Sequence, residues 1–419
     1  QHSAYYADIV RERSINLDTC TPEDFPVLTK TLLMQNFDRI VTDPAITRQG
    51  VSDFLQRSKD PAEKFLGRFR VMHTSGTSGE VGYFLYSSAD WARGMMGAAF
   101  RRRRRPRPTH ARSRRGKYRF AFYGATGGHF AGVTMATAMS KGVATLFAEV
   151  RVFEINSPMQ QTLDALNEFQ PDILSGYTAA LRMLGDKQKQ GALHIAPLAI
   201  AATGETVTKG DMAFLGEAFN AVVTSAYGCT EHLAVGGSDP DGETMTLNDN
   251  AIIFEFHEDH SLFTNLFNYT MPLIRYRMSD ILIPIPQPED APHRLQIRNL
   301  VGRTEKVPTF VTRDGTSDFI SPHTINEIFV PGVMRFQMRL TGPSSFRFLA
   351  CLASGLDASA RETALAGLNT RLQEILDQKG MAGVSFEVAP VEDLPVDPRT
   401  RKFRLIVDDR PPAETVQSA

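Results

Sequence analysis

The strongest constraint on this fold lies in the hundred or so residues after Tyr118, where short apolar runs alternate with stretches of helical spacing. The runs 118–123, 142–150, 172–174, 198–202 and 221–226 read as buried strands, and Met159–Phe169, 178–188 and 208–219 as the helices that cross between them. Such alternation is the signature of parallel strands linked by crossover helices, so this order predicts an α/β core with a mostly parallel sheet. After Glu243 the pattern changes to hairpins, with 251–257 and 281–286 as strands flanked by Asn, Asp and Pro, which predicts a smaller β subdomain. A second shift follows Gly302-Arg303. Residues 334–340 and 346–352 read as strands, Leu365, Leu368, Leu372, Ile375 and Leu376 mark one face of a helix, and 384–388 returns as a strand. This predicts a compact α+β domain of about 110 residues.

Composition narrows the classes. With 42% hydrophobic and 22% charged residues the chain can bury a large core and is neither disordered nor collagenous. Its three cysteines, Cys20, Cys229 and Cys351, form no C-x-x-C pair, so neither a disulfide framework nor a structural zinc site is indicated, and a reducing, cytoplasmic setting is expected. The most apolar stretch, 131–150, is interrupted by Lys141 and Glu149, so no membrane span is expected. The first residue is Gln1 rather than Met, which suggests a trimmed start and makes localisation an inference. The net charge of −1 argues against a general polyanion binder. It conceals an asymmetry: residues 101–119 hold ten Arg, one Lys and no acid, leaving the remainder distinctly acidic.

Four polar segments carry candidate chemistry. His73-Thr74-Ser75-Gly76-Thr77-Ser78-Gly79 follows an apolar stretch and can bring amides and hydroxyls up to phosphate oxygens, although Glu80 stands after it and the Walker A spacing is absent. Ala226-Tyr227-Gly228-Cys229-Thr230-Glu231 follows a buried strand and offers an aromatic plane, a hydroxyl and a carboxylate. Arg275-Tyr276-Arg277-Met278-Ser279-Asp280 follows Met271-Pro272-Leu273, and Gly302-Arg303-Thr304-Glu305 precedes the composition break. Lys402 lies in a basic run near the end. His257 and His260 are three apart in a turn, which is not the H-E-x-x-H spacing, and neither a G-x-S-x-G elbow nor a G-x-G-x-x-G after a strand is present.

The order of these segments resembles the adenylate-forming superfamily, and within it the phenylacetate-CoA ligase-like branch, over nearly the whole chain. Met271-Pro272-Leu273-Ile274-Arg275-Tyr276-Arg277 and the Tyr-Gly-x-Thr-Glu motif are the most telling. The resemblance implies an N-terminal ATP- and acid-binding domain over 1–303, a hinge at 304–306 and a mobile C-terminal domain over 307–419. It also implies ATP and Mg²⁺, formation of an acyl-AMP with loss of pyrophosphate, and transfer to a thiol, coenzyme A or a carrier protein. By position, Thr74, Ser75, Gly76, Thr77, Ser78 and Gly79 would hold the departing phosphates, Gly204 and Glu205 would border the adenine, and Tyr227 would stack on it. Thr230 would touch the α-phosphate, Glu231 would ligate Mg²⁺, and Asp280 and Arg303 would hold the ribose. Lys402 would reach between carboxylate and α-phosphate, a task suited to a point charge on a flexible stem. The sequence departs from the pattern at Glu80, where a lysine is usual, at Arg401, where a glycine is usual, and at His232, where a smaller residue is common.

The acyl pocket is expected beside the nucleotide, lined by Phe122, Tyr123, His129, Phe130, Ala226 and Gly228, which favours an aromatic or heteroaromatic acid. The Arg-rich run, broken by Pro106 and Pro108, is expected to be an exposed loop able to attract the phosphates of coenzyme A or an acidic carrier protein. Nucleic acid is a lesser expectation, since the run lacks interleaved aromatics. Transfer to an amine, or a degenerate binding protein whose Arg-rich loop contacts a polyanion, are the alternatives.

Overall fold

The computed structural model describes residues 2–74, 81–101, 116–126, 128–141, 143–204, 207–239, 242–258, 260–278, 280, 282–286, 295–298, 307–313, 315–326, 328–395 and 404–410. Two compact units are present. One holds Gln1–Thr74, Gly82–Glu154 and Asp164–Arg303, and the other holds Ile155–Leu163 with Thr304–Ala419.

The first unit opens with helices α1 (Ala4–Glu12), α2 (Lys30–Gln35), α3 (Phe37–Ile40) and α4 (Arg48–Arg57). An antiparallel hairpin, β1 (Arg70–His73) and β2 (Tyr83–Tyr86), leads to α5 (Ser88–Arg101). The alternating stretch comes next as β3 (Tyr118–Gly124), α6 (Ala131–Ser140), β4 (Ala148–Glu154), α7 (Met159–Phe169, whose residues up to Leu163 belong to the second unit), β5 (Ile173–Tyr177), α8 (Thr178–Lys189), β6 (Ala199–Thr203), α9 (Lys209–Phe219) and β7 (Val222–Cys229). Strands β8 (Leu233–Ser238) and β9 (Thr244–Leu247), then β10 (Ile252–Phe256), β11 (Ser261–Asn265), β12 (Tyr276–Met278) and β13 (Gln296–Arg298), complete it.

The parallel pairing read from the alternation is present. The main sheet runs in the order β13-β9-β8-β7-β6-β5-β3-β4, with β4, β3, β5, β6 and β7 parallel and β8, β9 and β13 antiparallel. A separate antiparallel sheet, β10-β11-β12, is the expected β subdomain. Two expected strands differ. Where 142–150 was expected to be extended, Val143–Leu146 forms a 3-10 turn, and the strand begins only at Ala148, where it can pair with Tyr118 of β3. Of 281–286, the described part makes only an isolated bridge between Pro284 and Ile297, because Pro284 and Pro286 have no N–H to give to a ladder.

Local signals explain the boundaries. Thr208 caps α9 by accepting from the Asp211 amide, the Asp211 carboxylate accepts in return from the Thr208 amide, and Asn220 at φ 48° ends the helix in the left-handed region. Gly176 is required on β5, since a Cβ there would lie 2.5 Å from the Tyr123 carbonyl of β3. The Met-Pro-Leu-Ile-Arg-Tyr-Arg segment ties the N-terminal arm to the small sheet. Arg275 forks onto Glu255 at 2.7–3.0 Å and donates to the Phe25 carbonyl at 3.0 Å, while its own carbonyl accepts from the Leu28 amide. Tyr6 Oη donates to the Pro272 carbonyl and accepts from the Ile274 amide.

The second unit contains β14 (Thr309–Val311), β15 (Ser317–Phe319), α10 (Pro322–Asn326), β16 (Val333–Gly342), β17 (Ser345–Leu352), α11 (Ala358–Gln378), β18 (Ser385–Pro390) and β19 (Ile406–Asp408). Its sheet has the order β18-β17-β16-β19, and α11 buries Ala364, Leu368, Leu372, Ile375 and Leu376. The buried stripe begins at Ala364 rather than Leu365, which is only half-buried. Lys379, fully buried at the end of α11, pairs with Asp318 at 3.0 Å and donates to the Ser157 carbonyl.

Candidate functional site

Parallel sheets bind ligands at the carboxyl ends of their strands, and here those ends are aligned. Gly124, Tyr177, Thr203 and Ala226 stand side by side across β3, β5, β6 and β7, a row that spans three strand spacings, about 14 Å. Gly204, at φ 78° and exposed, turns the chain away at the end of β6. On β7 the residues alternate. Ser225 and Tyr227 are buried, whereas Ala226 and Gly228 are exposed, so one face of the strand end is an open surface of small residues.

The Thr-Glu motif forms the reversal from β7 into β8, where Cys229 pairs with Leu233 and only Thr230, Glu231 and His232 make the turn. Leu233 takes up φ 55° to close it, and a Cβ on Gly228 would come within 3.0 Å of the Leu233 carbonyl. Tyr86, fully buried at the end of β2, fixes the turn from below: its hydroxyl lies 2.8 Å from the Thr230 carbonyl and 2.7 Å from that of Glu231. Tyr227 fixes it from the side by donating to Asp280 at 2.6 Å, which joins the main sheet to the loop after β12. Burial, and then the Asp280 charge, push the Tyr227 phenol well above its ordinary pKa, so it stays a donor.

Glu231 is buried at 8% exposure, and desolvation raises its pKa against the opposing pull of Lys30 and the added push of Asp280. Burial and the same carboxylates hold the neighbouring Cys229 thiol protonated. A buried carboxylate disfavoured in its charged form, next to a second carboxylate, suits a hard divalent cation that brings its remaining ligands from water and phosphate. Among the described residues no cluster of three or more His, Cys, Asp or Glu could hold a metal without such help.

Thr74 closes the base of the β1–β2 hairpin, its amide donating to the Gly82 carbonyl and its hydroxyl accepting from the Gly82 amide. Beside it, Phe130 lies ring to ring with His73 at 4.3 Å, and the His73 amide donates to the His129 carbonyl. As residues both are partly exposed, although burial of the His73 imidazole holds its pKa down to about 4. Phe122, Tyr123 and His129 are buried: Phe122 lies under Gly132 of α6 and edge-on to Tyr177, and His129 packs on Phe54 with Nε2 3.1 Å from the Ser58 hydroxyl. The structure therefore brings together Gly204, Ala226, Tyr227, Gly228, Thr230, Glu231 and Asp280 along one sheet edge and the segment after β12. Ser75, Gly76, Thr77, Ser78, Gly79, Glu80, Glu205, Arg303, the hinge at 304–306, Arg401 and Lys402 lie outside the described residues, as does the Arg-rich run after Arg101.

Sequence reasoning missed Tyr86 and Lys30. Tyr86 carried only the signal of an aromatic ending an apolar run, and Lys30 carried none.

His232, completing the turn, is fully buried against Phe263 and Tyr276 with neither ring nitrogen hydrogen-bonded. Burial holds its pKa down to about 3. The unfolded chain takes a proton on this ring below about pH 6.5 and the folded chain does not, so stability falls as pH drops through that range. The loss is about 2 kcal/mol by pH 5. His232→Leu is expected to remove it: thermal melts followed by circular dichroism should show the variant gaining about 4 °C on the parent between pH 8 and pH 5. A gap that does not change with pH would refute this assignment.

No protein-family model matches the chain. Protein CapK of Staphylococcus aureus is 20% identical over 335 residues, a match that covers 72% of this chain and 64% of CapK's own length. Two crystal structures of 2-hydroxyisobutyryl-CoA ligase share its architecture. The open conformation with 2-HIB-AMP and CoA superposes with a TM-score of 0.53 at 16% identity, over 97% of this chain and 88% of that one. The thioester-forming state superposes with a TM-score of 0.55 at 17% identity, over 98% and 86%. These likenesses, with the strand order and the motif positions above, give this chain the fold of the adenylate-forming enzymes.

Proposed function

We propose that this protein activates a carboxylic acid with ATP, forming an acyl-adenylate and releasing pyrophosphate, and then passes the acyl group to a thiol such as that of coenzyme A. The observation that carries the reading is the meeting of Tyr227, Thr230, Glu231 and Asp280 at the end of the parallel sheet, beside a row of strand ends with small residues. The attack of a carboxylate on a phosphate brings anions together, so the site must supply cations and fixed geometry more than a base.

In this reading Asp280, held by Tyr227, accepts from the ribose hydroxyls, and Arg303 donates to their oxygens. Gly204 and Glu205 border the base, and Tyr227 forms its neighbouring wall. Thr230 donates to the α-phosphate. Glu231 holds Mg²⁺, which would neutralise phosphate charge when bound. Thr74 anchors the loop of Ser75, Gly76, Thr77, Ser78 and Gly79 over the leaving phosphates, and Lys402, carried by a mobile 307–419 domain turning on residues 304–306, brings a cation to the reacting oxygens. The acid lies over Ala226 and Gly228 with its ring against Phe130 and His73, in front of the closed wall of Phe122, Tyr123 and His129. The Phe130–His73 pair supports an aromatic acid.

The test is acid-dependent exchange of labelled pyrophosphate into ATP across a panel of aromatic and aliphatic acids. Exchange with at least one acid, abolished in Asp280→Ala and weakened in Lys402→Ala, is expected; no exchange with any acid would overturn the reading. Tyr227→Phe should separate binding from chemistry. Losing the hydroxyl that orients Asp280 is expected to raise the KM for ATP about five- to tenfold, worth about 1 kcal/mol, with kcat nearly unchanged. An equal fall in kcat would place Tyr227 at the reacting phosphate instead.

A further inference from the structure

Strand β4 ends the main sheet, pairing with β3 on one side and with no other strand among the described residues. Its edge is seven residues long, and among the described residues no strand covers it. Phe147 and Leu146, which lead into it, are 68% and 67% exposed, and Tyr118, whose amide donates to the Phe147 carbonyl, is 58% exposed. Natural sheets blunt such edges, and an edge left open beside exposed aromatics is a place for another strand.

The sequence along this edge reads Phe147-Ala148-Glu149-Val150-Arg151-Val152-Phe153. Side chains alternate along β4, so Glu149, Arg151 and Phe153 share one face, with Phe153 buried against Phe169 and Phe147 leading into the strand from the turn before it. That face is complementary to itself when reversed. A two-fold axis perpendicular to the sheet keeps every side chain on its own face, so the axis must pair one residue of β4 with its own copy. Pairing Glu149 with itself, or Arg151 with itself, would set like charges opposite each other. Pairing Val150 with itself sets Glu149 opposite Arg151 of the partner subunit, Arg151 opposite Glu149 of the partner subunit, and Phe147 opposite Phe153 of the partner subunit. Within one chain Glu149 and Arg151 pair at 3.3 Å with side chains half exposed, and the Arg151 guanidinium lies 4.6 Å from the centre of the Phe169 ring, so a partner strand would exchange the intrachain pair for two pairs across the axis.

We propose that a second copy of this chain docks along β4, antiparallel and centred on Val150, so that the two main sheets continue into one across a two-fold axis. Charge complementarity selects the occupant, since a reversed copy of this same strand meets Glu149 and Arg151 with opposite charges at both positions.

Sedimentation equilibrium and light scattering at micromolar to tens-of-micromolar chain test this. The parent protein is expected to show twice the chain mass, with dissociation favoured as salt rises. Glu149→Arg and Arg151→Glu each place like charges opposite one another twice and are expected to weaken self-association at least tenfold. Combining them in one chain restores the opposite pairing and should restore the dimer. Mixing the two single variants should yield a heterodimer, a result that a folding defect in either cannot produce. A monomeric parent overturns the proposal, as does a dimer whose dissociation constant is indifferent to both single changes, or a mixture of the single variants that stays monomeric.

Discussion

Glu231→Gln is expected to lower acid-dependent ATP–pyrophosphate exchange by about two to three orders of magnitude while the melting temperature at pH 8 stays level or rises. The two readouts separate because the group is costly to the fold. Burial raises the Glu231 pKa above its unfolded value, so above that value the charged carboxylate opposes folding. An amide of the same shape removes the charge together with its affinity for a divalent cation. Exchange kinetics at saturating Mg²⁺, measured beside a thermal melt, check both halves. A melting temperature that falls together with activity would make Glu231 a structural residue and remove it from the proposed metal site.

Arg275→Ala carries the largest expected loss of stability, about 3 kcal/mol, because it leaves Glu255 as an uncompensated, largely buried charge. The Phe25 carbonyl loses its donor in the same change. The effect should be local before it is global. Proteolysis is expected to open the N-terminal arm around Phe25 and Leu28 first, and the first melting transition is expected to drop by about 6 °C. Arg275→Lys, which keeps the charge without the fork, should recover part of this and no more. An unchanged melt for the alanine variant would mean that the bond to Glu255 contributes little.

Arg275 also shows where reading the sequence reached and where it stopped. The segment 271–277 identified the family resemblance, yet its arginine is committed to holding the arm, and nothing in a linear sequence reveals that its partner is Glu255. The parallel strands were legible because short apolar runs alternate with stretches of helical spacing, and Met159–Phe169 was read to the residue because its apolar spacing is regular. The start of β4 was not legible: the residues after Gly142 are apolar enough for a strand, and only pairing with Tyr118 decides that the strand begins at Ala148. For the site, the Tyr-Gly-x-Thr-Glu motif and Asp280 could be named but not connected. Their closeness depends on two sheets meeting, which spacing along the chain does not encode.

The tight reversal after β7 acts as a ruler. Its carbonyls are held by Tyr86 and its flank by Asp280, so the distance from Ala226 to Glu231 cannot stretch without breaking one of the two. A single residue inserted ahead of Tyr227 would turn each later side chain of the strand to the opposite face, sending the phenol outward and a small residue inward. In the proposed reading, variation in the acid accepted can therefore arise through exchange at position 226, whereas a side chain at 228 would press on the Leu233 carbonyl and a change in loop length would undo the turn.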